Sequence, residues 1–119
     1  MQAALFVQIA LVLMGLSVLG GLMMAVRRFK GEHRPPAAIA ILHGMLNSAA
    51  LALLLFAAFT VGLPPAAWIA IYVLVGTALI GLTLNLRYHD KLQPLPKSLI
   101  LLHALLALVG LGFLLLSLK

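Results

Sequence analysis

Four long stretches of this chain, approximately Ala3–Val26, Ala37–Val61, Pro65–Leu86 and Ser98–Leu118, contain no charged side chain. A bilayer core about 30 Å thick takes roughly 20 helical residues to cross, and a backbone in lipid has to satisfy its own hydrogen bonds. Each stretch therefore predicts a spanning helix. In 119 residues, four crossings leave almost no extramembrane domain, so any function has to sit within the helices or at their surfaces. The composition agrees: 65% of residues are apolar, 8% are charged, and the mean hydropathy is +1.22. Met1 to Met24 has no basic n-region and no small-residue cleavage site ahead of the arginines. The first stretch thus reads as a retained helix rather than a signal peptide.

The charges that remain are placed unevenly. Arg27, Arg28, Lys30 and Arg34 follow the first stretch and Arg87, Lys91 and Lys97 follow the third, whereas the Thr60–Pro65 turn is uncharged. By the positive-inside rule the basic loops lie in the cytoplasm, as in a multi-pass protein of the bacterial inner membrane. Both termini and the Gly62-Leu63-Pro64-Pro65 turn are then outside. Seven of the eight basic residues behind the net charge of +6 lie in these loops, so the charge points to lipid headgroups and not to nucleic acid. Pro35, Pro36, Pro64, Pro65 and Pro96 fall at helix starts, where a missing N–H costs little.

The sequence also repeats itself at an ungapped offset of 60. Ile9-Ala10 recurs as Ile69-Ala70, Gly21-Leu22 as Gly81-Leu82, Arg27 as Arg87, Pro36 as Pro96, and Leu42-His43 as Leu102-His103. About a quarter of the roughly 50 aligned positions are identical, and the Gly, Arg, Pro and His matches owe nothing to the abundance of leucine. The predicted fold is an all-α membrane protein of four transmembrane helices. It forms one domain of two tandem hairpins, residues 3–61 and 65–118, related by a pseudo-two-fold axis along the membrane normal.

Chemistry has few places to reside. The chain has no cysteine, and only Glu32 and Asp90 as acids. That excludes thiolate metal sites, iron–sulfur clusters and paired-carboxylate hydrolysis. No nucleotide-binding glycine loop, catalytic triad or His-Glu-x-x-His motif is present, and no charged file runs through the helices as in an ion-coupled transporter. What stands out is His43 and His103, at equivalent depths about six residues into helices 2 and 4, roughly 10 Å below the cytoplasmic edge. In an up-down-up-down bundle these helices are diagonal partners, so the two imidazoles face each other across the core. Two neutral imidazoles on opposite sides of a flat macrocycle are the axial ligands of a low-spin haem b. Gly44, Ala104, Asn47, Ala50, Ala107 and Gly110 follow along the same faces and leave room, while Asn47 can hydrogen-bond the His43 ring or a cofactor edge. The same small residues also serve close helix packing. His33 and His89 lie in the loops at non-equivalent positions and read as solvated.

The run Pro94 to Ala107, Pro-Leu-Pro-Lys-Ser-Leu-Ile-Leu-Leu-His-Ala-Leu-Leu-Ala, and its weaker echo from Pro36 to Ser48 resemble small bacterial four-helix membrane proteins, a resemblance that brings no activity with it. A histidine before a small residue on each of two helices is also similar to membrane b-type cytochromes of the b561-like kind. Those proteins commonly use more histidines and two haems, whereas here only His43 and His103 lie at ligand depth, so the resemblance implies one haem. Three functional classes follow. The first is a one-haem electron carrier exchanging with quinone or a respiratory partner. The second is a cofactor-free accessory subunit of a larger membrane complex, and the third a small transporter acting as a homo-oligomer. None is a stand-alone enzyme.

Overall fold

The computed structural model describes residues 2–119. Four helices follow in order: α1 (Gln2–Phe29), α2 (Ala37–Thr60), α3 (Pro65–Thr83) and α4 (Lys97–Leu116), with a π-helical turn, Leu84–His89, extending α3. All four are long and apolar enough to cross a membrane, as in a multi-pass membrane protein. Together they form a rod of 45 × 21 × 20 Å. Large apolar side chains such as Leu19, Leu22, Phe59, Leu79 and Leu108 cover its outside, the arrangement a lipid solvent favours.

Helices α1 and α2 pack closely as one hairpin and α3 and α4 as a second, while contact between the hairpins is lighter. Six buried positions of one hairpin recur in the other at the offset of 60. Val7 pairs with Ala67, Ala10 with Ala70, Met14 with Leu74, Ser17 with Thr77, Ala50 with Gly110, and Leu54 with Leu114. Both hairpins thus turn the same face to the centre, as tandem copies about a shared long axis must. The packing is tight enough that a β-carbon at Gly110 would come within 2.6 Å of Leu74 Cδ2.

Helices α1 and α3 run about a turn further than the charge-free stretches, to Phe29 and His89. Cationic side chains are favourable in a last helical turn, and their stems can lie along apolar surface, so Arg27, Arg28 and Arg87 do not end the helix. What ends α1 is a left-handed residue. Gly31 sits at φ +115°, its N–H donates to Arg28 O, and the next N–H, of Glu32, reaches Arg27 O. This is the paired-bond stop in which glycine is favoured. The extended α3 ends with the same pair of bonds, Leu92 N to His89 O and Gln93 N to Tyr88 O, but with Leu92 at φ +57° in the glycine position. That stop falls 61 residues after Gly31, although Gly21 and Gly81 match at 60. The π turn, closed by Asp90 N to Asn85 O at 2.8 Å, takes up the additional residue.

The two loops at the basic end are tied together. Leu95 N donates to His33 O (3.1 Å), Arg28 Nε to Leu95 O (2.8 Å) and His89 Nε2 to Pro35 O (2.9 Å), and Lys97 Nζ lies 5.5 Å from the centre of the Phe29 ring. His89 is therefore held between the loops, not solvated as its sequence position suggests, while His33 is exposed. At the neutral end Trp68 stacks edge-on against Phe59 and lies beside Tyr72.

Candidate functional site

His43 and His103 are each the seventh residue of their helix, after Pro36 and Pro96 fix the two starts. Equal spacing from equivalent starts brings both to one level in the bundle. Their ring centres are 6.1 Å apart and their planes are inclined by 57°.

Each ring is seated on its own hairpin in the same way. His43 Nδ1 donates to Ser17 O at 2.8 Å, and His103 Nδ1 donates to Thr77 O at 2.9 Å. Carbonyl oxygens accept only, so each Nδ1 carries a proton, and His43 Nδ1 also lies 2.8 Å from Ser17 Oγ, a contact that His103 lacks. A glycine lies under each ring. A β-carbon at Gly21 would stand 2.8 Å from His43 Cε1, and one at Gly81 would stand 2.9 Å from His103 Cε1. Gly21, Ser17 and His43 thus recur as Gly81, Thr77 and His103, one constellation used twice.

The copies differ around their outer edge. In the first, Asn47 Nδ2 lies 2.6 Å from Ser17 Oγ, 3.0 Å from His43 O and 3.3 Å from His43 Nε2, and Ser17 Oγ donates to His43 O. In the second, Ala107 takes the place of Asn47, and Thr77 Oγ1 turns back to Val73 O on its own helix. His103 Nε2 makes no hydrogen bond among the described residues.

A cavity of about 430 Å³ extends from the pair towards the basic end, on the side where α2 meets α3. Gly44, Ala78 and Gly81 give it width, and Arg28, Asn85 and His89 stand at its mouth. A smaller space of about 70 Å³ lies beyond the pair among Met14, Leu51, Leu74 and Leu111. His43, Asn47, Ala78 and His103 border both. The larger volume falls in the range of small-molecule and cofactor sites, about 300–1,000 Å³.

The donor set limits what the pair can hold. Ring centres 6.1 Å apart are close enough for one metal about 2.0 Å from a nitrogen of each imidazole, provided those nitrogens face each other. No cluster of three or more His, Cys, Asp or Glu exists among the described residues, so the chain supplies two ligands and no protein-only zinc site. The remaining ligands of a metal here have to come from outside the chain, as the four nitrogens of a porphyrin would. The fixed Nδ1 protons suit that role, because a ligating histidine commonly donates its other ring N–H to a carbonyl.

Of the residues singled out from sequence, the fold brings His43, His103 and Asn47 together and leaves His33 outside. Ser17, Thr77, Gly21, Gly81 and Arg28 join them without having been singled out for this site. The signal available for the first four was their shared offset of 60 and their fixed distance from the histidines. Comparisons with protein-family models, curated proteins and solved structures find no match for this chain, so its functional reading rests on the geometry of this site.

Proposed function

We propose that the protein is a small membrane b-type cytochrome, in which His43 and His103 would hold one haem b between the two hairpins. One observation carries this reading: two imidazoles at one depth, each with Nδ1 fixed on a carbonyl of its own hairpin, with ring centres 6.1 Å apart. His103 Nε2 has no hydrogen-bond partner among the described residues, whereas His43 Nε2 has Asn47 Nδ2 at 3.3 Å, so a Lewis acid would satisfy the first and compete with Asn47 for the second. Bound haem would supply one-electron redox chemistry.

The chain's own part is to hold and tune. Ser17 O and Thr77 O set the tautomers, Gly21 and Gly81 admit the rings, and Asn47 gives one side a donor that the other lacks. A cavity bordered by α2 and α3 suits exchange with a lipid-soluble partner such as a quinone, or docking on a respiratory complex. In this reading the basic loops lie in the cytoplasm of a bacterial inner membrane and the termini outside, as the distribution of Arg and Lys favours.

A reduced-minus-oxidised absorption spectrum of the full chain, expressed with haem supply and purified in detergent, tests the proposal. A low-spin six-coordinate spectrum is expected, lost in His43→Ala and in His103→Ala and kept in His33→Ala. A folded wild-type protein that stays colourless and takes up no added haemin would sink it and leave the accessory-subunit reading standing.

A further inference from the structure

Arg28 stands at the mouth of the large cavity, half-buried in the last turn of α1. Its Nε is fixed on Leu95 O at 2.8 Å, which anchors the guanidinium and leaves the Nη edge without a hydrogen bond among the described residues. The chain contains only two acids, and both are engaged elsewhere. Glu32 pairs with Arg27 at 3.0 Å, and Asp90 lies 3.7 Å from His89 Nδ1. The second hairpin has Tyr88 at the position of Arg28, so the cation stands on one side only of an otherwise symmetric site. A half-buried guanidinium presented to a cavity that is mostly apolar, in a protein with no acid left to offer it, calls for an anion from outside.

Building on the haem reading above, we propose that Arg28 would bind a carboxylate of the macrocycle and so hold its acidic side at the basic end of the bundle. The guanidinium edge matches a carboxylate with two parallel N–H···O bonds, and the fixed Nε means that little side-chain freedom is lost on binding. Asn85 and His89 border the same mouth. Such a carboxylate would be held by one named residue, which makes the macrocycle's orientation single rather than two-fold averaged, even though the two histidines are equivalent by repeat.

The test compares haemin with its dimethyl ester, in which both carboxylates are neutral. The full chain is purified haem-free in detergent and titrated with each. Wild type is expected to bind haemin about tenfold or more tightly than the ester, as befits one charge-assisted, paired hydrogen-bond contact. Arg28→Leu should bring the two affinities together by weakening haemin alone, and Arg28→Lys, which keeps the cation but loses the fork, should fall between them. Helical content by circular dichroism, unchanged in both variants, separates lost recognition from lost folding. Equal affinity of wild type for haemin and ester overturns the assignment of Arg28 while leaving the haem site intact. Binding of neither overturns both. A preference for haemin that survives unchanged in Arg28→Leu overturns it as well, by placing the anion contact elsewhere.

Discussion

Gly21 and His43 touch so closely that the glycine cannot be replaced by the next larger residue without moving the ring. The β-carbon of an alanine at position 21 would lie 2.8 Å from His43 Cε1 and 3.3 Å from its Nδ1. The ring cannot simply swing away, because Nδ1 is bonded to the Ser17 carbonyl on the same helix. Gly81 and His103 stand in the same relation at 2.9 Å. Gly21→Ala and Gly81→Ala are therefore expected to destabilise the protein by about 1–3 kcal/mol each, as overpacking does. They should also disturb whatever the pair ligates. Gly20→Ala is the control, since its β-carbon meets only Ile39 Cγ2 at an ordinary 3.6 Å. Thermal melts in detergent should rank Gly20→Ala near wild type and the other two well below it.

The two hydroxyls beside the pair invite a paired experiment. Ser17 Oγ accepts from Asn47 and donates to the His43 carbonyl, whereas Thr77 Oγ1 bonds only Val73 O of its own helix. Asn47→Ala and Ser17→Ala should each lower stability by about 0.5–1.5 kcal/mol, with clear non-additivity in the double variant because they share one bond. Thr77→Ala should leave the site intact, because His103 is held by the Thr77 backbone. A double-mutant cycle with additive losses would refute a shared network.

Most of the fold could be read before any coordinate. The charge-free runs specify four helices, and the Gly, Pro and His matches specify two equivalent hairpins, because apolar length and backbone punctuation are local properties. The seating of the histidines was not legible, since their acceptors are main-chain carbonyls, which every residue possesses and no sequence marks. Ser17 and Thr77 pair by chemistry and offset rather than identity, so a comparison of identical residues passes over them. Gly21 and Gly81 match in the repeat, but nothing in the sequence says that each packs against an imidazole ring. The π turn was hidden as well: a single additional residue at the end of α3 leaves no mark in hydropathy and shows only in the stop at Leu92, one position later than Gly31 predicts.

Leu92 itself offers a stabilising substitution. It holds φ +57° at the helix stop, where a β-carbon is disfavoured by roughly 1–2 kcal/mol, and its side chain is 70% exposed, so little burial is lost on removing it. Leu92→Gly is expected to raise stability by up to about 1 kcal/mol, part of the gain being offset by the greater freedom of glycine in the unfolded chain. Leu92→Val, β-branched at the same φ, should lower the melting temperature. A glycine variant that melts below wild type would contradict the strain argument.

Membrane orientation is open to direct labelling, because the chain has no native cysteine to interfere. With seven basic residues in the two loops at one end and none in the Thr60–Pro65 turn, the positive-inside rule leads us to expect that end in the cytoplasm. The probes should avoid residues whose backbone would be strained by a side chain, which rules out Gly31 at φ +115° and Gly62 at φ +85°. Gln93 is exposed in the second basic loop and makes only a backbone bond, to Tyr88 O, so Gln93→Cys leaves the fold untouched; Leu63→Cys serves the neutral turn. In intact cells a membrane-impermeant maleimide is expected to label position 63 and to reach position 93 only after the membrane is opened. Labelling of 93 alone from outside would reverse the topology, and would move the mouth guarded by Arg28 to the external face. Labelling of both positions in every cell would show dual insertion, which the one-sided charge distribution forbids.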